Sequence, residues 1–327
     1  MLAARSFDYC RGPMKSPTLK IVARTQGNTS ALKNGEIELP GFLFDFIEIP
    51  VLPKAFRRMV RTLEFDVCEM ALTTYLCARE HGVKFTAIPI FLKRAFHHGA
   101  ILHDSKGPIK KPKQLEGTHV GVNRGYTVTA GVWARGILAE EYNVDLEKIT
   151  WVLSGDEHVA EYKGPSNVIT GCSNQTLEDA LLCGDLSAAI NIQTNNPSIK
   201  PLIPDPQNRG LSAFDDRGHY PINHLLVIRD EVLEKNPGIA IKIFNVFAEA
   251  KSLYLDQLKN KEAQNLTSTD ELDLQILKRK KDPLPYGIKP NRDVLENLMA
   301  HAQSQKILKQ NVEVDKLFAQ ETIDLTA

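Results

Sequence analysis

The stretch Ile88–His98, Ile-Pro-Ile-Phe-Leu-Lys-Arg-Ala-Phe-His-His, constrains this chain more than any other. Its apolar run does not alternate with polar residues. A strand of this kind must be covered on both faces, as in the parallel sheets of α/β proteins. The run then ends in a cation and two adjacent imidazoles, as buried strands do when they deliver polar side chains to a cleft. Arginine holds carboxylates in a fixed fork, and histidine moves protons near neutral pH. The segment therefore reads as part of a site for a small anionic, aromatic molecule. The plainer alternative is a surface salt bridge with two exposed histidines.

The surrounding pattern supports a layered α/β chain. Leu19–Ala23, the alternating Phe42, Phe44, Phe46 and Ile47, Phe65–Met70 and Phe85–Phe91 read as strands. Helices fall between them: one opened by Pro53 with Phe56, Met59, Val60 and Leu63 on one face, and one over Leu72–Glu80. A second unit starts near Leu115. It has strands at Thr118–Val122, Ile149–Leu153, Leu186–Ile190 and Ile199–Ile203, and helices at Thr127–Tyr142 and Thr176–Cys183, the last capped by Thr176. Asn195–Gly210 reads as a connector and Pro221–Ile228 as a returning strand. Asn236-Pro237 opens a long helix, residues 259–282 read as an exposed helix and loop, and Asn291 caps a last helix.

Alternating β and α elements imply mainly parallel sheets with crossover helices. The expected fold is two-lobed, each lobe a mixed, mainly parallel sheet flanked by helices. Residues 18–114 and 212–327 make lobe I, 115–211 make lobe II, and 1–17 form an N-terminal extension. A cleft between lobes is the natural ligand site.

Of the 327 residues, 40 are basic and 40 acidic, so no electrostatic footprint for nucleic acid exists. The short basic cluster Lys278–Lys281 reads as a solvated surface. Five cysteines (Cys10, Cys68, Cys77, Cys172 and Cys183) lack C-x-x-C spacing and read as reduced thiols. The N-terminus lacks a signal-peptide core, and no run is long enough to span a bilayer. The expectation is a cytoplasmic protein that engages neither membrane nor nucleic acid.

Candidate site residues cluster where strands end. Arg94 reads as a carboxylate clamp, with His97 or His98 as hydrogen-bond donor or proton carrier. Glu69, followed by Thr73 and Thr74, lies between a strand and a helix and reads either as a cap or as part of a cleft rim. Asn123-Arg124-Gly125-Tyr126-Thr127 repeats that geometry. It lacks the glycine spacing of a dinucleotide fingerprint and the lysine of a P-loop, so a carboxylate held by backbone N–H groups, Arg124 and Thr127 or Thr129 fits better than a phosphate. His219 to His224 sits where the chain re-enters lobe I. A divalent metal on Glu69, His98 and His224 is possible in principle, although no short-range ligand spacing supports it. Gly-x-Ser-x-Gly is absent, so no serine-hydrolase elbow is present.

Taken together, six ordered stretches resemble the 4,5-dihydroxyphthalate decarboxylase family, whose members are built like solute-binding proteins of the type 2 periplasmic-binding fold. They are Glu64–Tyr75, Ala87–His98, Leu115–Val122, Val132–Leu138, Tyr220–His224 and Pro285–Ile288, and the likeness runs from about Lys20 to near Phe318. The chain matches the pattern at Glu69, Arg94, His98 and His224. It departs at His97 and Gly99, where the family carries an arginine and a serine, and in the loop 123–126. One arginine fewer points to a ligand with fewer or differently placed carboxylates.

The resemblance implies a homo-oligomeric carboxy-lyase that needs no cofactor and converts 4,5-dihydroxyphthalate to protocatechuate and CO2. It implies Arg94 as anchor, His98 as proton donor and Glu69 or His224 at the phenol, with the two proton roles exchangeable; the reading of the residues themselves adds His97, Thr73, Thr74, Tyr126 and Thr127 around the ligand. The rival readings are a solute-binding or sensor protein on the same fold, and a different enzyme on the same scaffold.

Overall fold

In a computed structural model, residues 16–171, 174–260, 265–279, 281–310 and 312–327 are described. Most of the expected extension (residues 1–15), Cys10, Cys172 and Lys280 of the basic cluster lie outside them. The first sheet is assembled from β1 (Thr18–Val22), α1 (Gly27–Lys33), β2 (Leu43–Phe46), α2 (Leu52–Thr62), β3 (Val67–Ala71), α3 (Leu72–Glu80) and β4 (Phe85–Arg94). The chain then crosses into β5 (Ile101–Asp104), β6 (His119–Val122), α4 (Thr129–Tyr142), β7 (Thr150–Leu153), β8 (Val168–Thr170), α5 (Leu177–Cys183), β9 (Ala188–Ile190), β10 (Ile199–Pro201) and α6 (Pro206–Arg217). It returns through β11 (Ile222–Arg229), α7 (Asp230–Lys235), α8 (Ile239–Lys259), α9 (Ser268–Lys278) and α10 (Arg292–Ser304).

Two mixed, mainly parallel sheets result, with strand orders β2-β1-β3-β11-β4 and β10-β5-β9-β6-β7-β8. β11 runs antiparallel between β3 and β4, so the returning segment is a central strand of the first sheet. Its burial explains its unbroken apolar run from Leu225 to Ile228. β5 pairs with β9 and β10 in the second sheet, so the chain leaves the first sheet directly after Arg94, ahead of the sequence boundary at 115. Two residues of β5 are polar, His103 and Asp104, and its antiparallel pairing carries no crossover helix, so local pattern did not mark it.

The expected helical faces are found. Phe56, Met59 and Val60 are buried on α2, which ends where Leu63 adopts a left-handed conformation at φ 49°. Deleting a ring such as that of Phe56 costs about 3–5 kcal/mol. Thr176 caps α5, its side chain accepting from the Asp179 N–H. Within Asn195–Gly210, β10 falls on the strand expected at Ile199–Ile203, but the rest of the expected connector holds the start of α6, whose Pro206 stands in the first turn, where its missing N–H costs nothing. α8 packs against α1 so closely that a Cβ on Gly27 would lie 2.0 Å from the Tyr254 ring. Cys68, Cys77 and Cys183 are free thiols, and no helix among the described residues is long and apolar enough to cross a membrane.

Candidate functional site

The carboxyl ends of β1, β3 and β4 in one sheet face those of β6, β7 and β9 in the other, the position where open α/β sheets bind ligands. Between them lies a cavity of ≈ 580 Å³, within the range of small-molecule sites. β11 runs the opposite way, so its beginning sits at this end as well. Its pairing with β4 shifts register on both sides of His224, a device that re-aims a side chain.

His224 lines the floor, and Glu69, fully buried in the middle of β3, stands behind it. His224 Nδ1 lies 2.5 Å from Glu69 Oε1, and the other carboxylate oxygen accepts from the Arg24 N–H at 2.8 Å. Burial opposes the charge on Glu69, yet the His224 hydrogen bond and the Arg24 N–H hold its carboxyl below the ordinary value. Burial also pushes His224 down, against the pull of Glu69. The pair is therefore an ionised Glu69 beside a neutral His224 with its proton on Nδ1, which leaves Nε2 as an acceptor. The His224 ring stands edge-on to Phe56 at 5.2 Å.

Three cations line the same cavity: Arg24 after β1, Lys93 on β4 and Arg124 after β6. Among the described residues none of them forms a salt bridge, whereas Arg57, Arg229 and Arg292 elsewhere are each paired with a carboxylate. Burial pushes Lys93 and Arg124 down, and Arg24 adds to the effect on both. Unpaired cations of this kind, Arg24 and Lys93 half-buried and Arg124 at the cavity mouth, are poised for an anion. Arg124 is held at φ 70°, unusual for a residue with a side chain, and its N–H donates to Ser154 Oγ at 2.8 Å. His97, His158, Asn123 and Asn223 complete the polar wall. His97 Nε2 is 3.1 Å from Asn223 Oδ1, and burial pushes both His97 and His158 to about 4, so both rings are neutral.

The turn expected to cradle a carboxylate does so, but the carboxylate belongs to the protein. Glu157 accepts from the N–H groups of Tyr126 and Thr127 and from the Thr127 hydroxyl, 2.6 Å away. A Cβ on Gly125 would stand 2.5 Å from Glu157 Oε2, so only glycine admits this approach. Tyr126 is buried under Arg135, whose guanidinium lies 3.8 Å from its ring centre. Tyr126 and Thr127 thus shape the wall without lining the cavity.

Other sequence candidates are also placed elsewhere. Arg94 is buried and donates to the carbonyls of Tyr220 and Pro285 and to Asn291 Oδ1, so it ties β4 to the C-terminal segment rather than facing the cleft. His98 Nε2 lies 3.0 Å from Glu141 Oε2, in a small separate pocket beside Trp133. The chain turns into a 3-10 segment at His98, which points neighbouring histidines in different directions, His97 into the cleft and His98 away from it. Thr73 hydrogen-bonds to the Thr127 carbonyl and Thr129 hydroxyl, and Thr74 to His158 Nδ1; both stitch the lobes together. The metal set Glu69, His98 and His224 is not assembled, and the described residues contain no cluster of three His, Cys, Asp or Glu side chains that could share a metal ion.

Arg24, Lys93 and His158 carry no motif of their own in the sequence. Arg24 and Lys93 stand at strand ends, and that position was the available signal; Glu69, expected between strand and helix, instead sits in the middle of β3. His158 is brought in by a loop and had none.

No family model matches the chain. A 4,5-dihydroxyphthalate decarboxylase of Comamonas testosteroni is 25% identical over 322 residues, covering 93% of this chain and 97% of that protein. One of Pseudomonas putida is 28% identical over 208 residues, covering 59% and 80%. Among solved structures, the periplasmic aliphatic sulphonate binding protein SsuA from Escherichia coli matches with a TM-score of 0.56 at 12% identity, covering 94% of this chain and 99% of that one. The desulfurization enzyme DSZB matches with a TM-score of 0.54 at 13% identity, covering 94% and 98%. The fold is thus periplasmic-binding-protein-like, as expected, and the chain is similar in sequence to two 4,5-dihydroxyphthalate decarboxylases, which are carboxy-lyases.

Proposed function

We propose that the interlobe cleft decarboxylates a hydroxylated aromatic carboxylic acid, with 4,5-dihydroxyphthalate giving protocatechuate and CO2 as the specific reaction. The observation that carries this reading is the pairing of a neutral, carboxylate-oriented histidine with three unpaired cations in one cavity. The similarity to two decarboxylases supports it. Arg24 and Arg124 approach from opposite lobes and suit a ligand with two carboxylates, which offsets the arginine replaced by His97.

In this reading His224 Nε2 takes the phenolic proton, and Glu69 stabilises the imidazolium that forms. Each carboxylate of the substrate is para to a hydroxyl, so the phenolate pushes electron density onto the carbon bearing the carboxylate. Protonation there gives a dienone-like intermediate. Loss of CO2 restores the aromatic ring, and His224 returns its proton to the phenolate oxygen. One well-placed acid or base contributes roughly 10²–10⁴ in rate. These residues bind, orient and move the proton without calling on a metal or cofactor.

Incubation of the protein with 4,5-dihydroxyphthalate should release CO2 and protocatechuate. The fold it shares with SsuA favours one second reading, retention of an anionic ligand without turnover. Tight binding of hydroxylated phthalates and hydroxybenzoates with no CO2 from any of them, with or without divalent metal, would decide for that reading.

A further inference from the structure

Decarboxylation consumes a proton at the ring carbon in every turnover, and the cleft histidines do not carry one. His97 and His158 are neutral, and His224 beside Glu69 is a base. Lys93 is the remaining cleft side chain with a proton it can release, since arginine does not deprotonate. Its position is unusual in a second respect. Lys93 and Arg24 line the reaction cleft and also a neighbouring cavity of ≈ 210 Å³, large enough for several waters.

That second cavity is polar and acidic on its far side, where Tyr254, Asp270 and Asp273 stand. The Tyr254 hydroxyl is 2.6 Å from Asp270 Oδ1 and 2.9 Å from Asp273 Oδ2. The other Asp273 oxygen and Arg94 Nε are buried polar atoms without a hydrogen-bond partner among the described residues, although both residues line this cavity. Buried polar atoms are satisfied in folded proteins, commonly by ordered water. Burial raises Asp273 to about 7, so it carries a proton part of the time near neutrality.

We propose that Lys93 delivers the proton to the ring carbon that loses CO2, and that the Asp273 cavity refills it. This rests on the decarboxylase reading above. In the step, an N–H bond of the Lys93 ammonium breaks and a C–H bond forms at the carbon bearing the carboxylate. The carbon–carboxylate bond then breaks, its electron pair returns to the ring, and CO2 departs. Lys93, now a neutral amine, takes a proton through the second cavity, and Asp273 regains its own from solvent. One proton is consumed for each CO2 formed.

The test separates proton delivery from charge. Lys93→Arg keeps the cation and removes the transferable proton. It should lower kcat on 4,5-dihydroxyphthalate at least about 100-fold, while the Kd for phthalate, which carries both carboxylates and no hydroxyl, stays within a few-fold of wild type. Lys93→Cys treated with 2-bromoethylamine restores a primary amine of lower basicity, so kcat should recover with its alkaline limb moved toward lower pH. The titrating or charged groups that share the two cavities with Lys93 are Arg24, His97, Arg124, His158 and His224 on the cleft side, with Glu69 behind His224, and Arg94, Tyr220, Tyr254, Asp270 and Asp273 on the cavity side. Asp273→Asn should make kcat rise with the concentration of a small buffer such as imidazole, which a purely structural role would not produce.

Full turnover by Lys93→Arg, or an unmoved alkaline limb in the aminoethylated protein, overturns proton delivery by Lys93 and leaves the decarboxylase reading intact. A buffer-independent kcat in Asp273→Asn overturns the refilling path. No turnover by the wild-type protein overturns the decarboxylase reading, and this inference with it.

Discussion

His224 Nδ1 lies 2.5 Å from Oε1 of Glu69, a carboxylate with no exposure to solvent. A carboxylate that fixes the tautomer of a histidine leaves the other ring nitrogen free to accept a proton, a division of labour common to histidine bases. Glu69→Gln and His224→Asn should each lower kcat on 4,5-dihydroxyphthalate by roughly 10²–10⁴, with phthalate binding largely retained. Because burial holds His224 below the ordinary histidine value, activity should persist at neutral pH and fall as pH drops through that lowered value. Equal kcat in both variants and wild type would show that the pair plays no part in turnover.

The cations of the cleft and the buried arginine behind it should behave differently. Arg24→Met and Arg124→Met each remove a charged partner for the ligand, a loss of about 1.5–3 kcal/mol in binding. Isothermal titration with phthalate checks this. Arg94→Met instead strands the Tyr220 and Pro285 carbonyls and Asn291, so it should destabilise the fold by on the order of 3 kcal/mol in denaturant unfolding. A large, selective loss of phthalate binding in Arg94→Met at unchanged stability would restore Arg94 as the anchor.

His98 gives a sharper contrast with its neighbour. His98→Gln should leave kcat unchanged, since its Nε2 faces Glu141 away from the cleft. His97→Gln should perturb the cleft wall through Asn223. A collapse of kcat in His98→Gln alone would show that His98 reaches the substrate.

Glu157 occupies an anion cradle made by the turn that opens α4. Removing it in Glu157→Ala should lower stability by about 1–3 kcal/mol, because two buried N–H groups lose their acceptor. Acetate or formate should then recover part of the lost melting temperature by filling the vacated cradle. No response to either ion would mean that the turn collapses when the carboxylate is gone.

His97 and His158 set an acid limit on the fold. Their folded values of about 4 lie below the unfolded histidine value of about 6.5, so the unfolded chain binds protons first as pH falls. Stability is complete above about 6.5 and is lost as pH descends to about 4, by up to about 3 kcal/mol for each ring. Urea unfolding at pH 7 and pH 5 should show the decline. His158→Phe, which cannot titrate, should flatten it.

Local residue order determined the elements of this protein. The unbroken apolar runs at Ile88–Leu92 and Leu225–Ile228 could be satisfied only in a covered sheet, and the face of α2 followed from helical spacing. His97 and His224 were legible because each stands where a buried strand meets a cleft. What the sequence left open was direction and company. His97 and His98 are neighbours with the same chemistry, and only the 3-10 turn between β4 and β5 decides which one enters the cavity. Arg94 and Lys93 are likewise adjacent; strand alternation gives the guanidinium to the C-terminal segment and the ammonium to the cleft. Arg24 lies 100 residues before Arg124 and 134 before His158, and no local pattern links the three. Only the packing of the two sheets end to end brings them around one ligand-sized space.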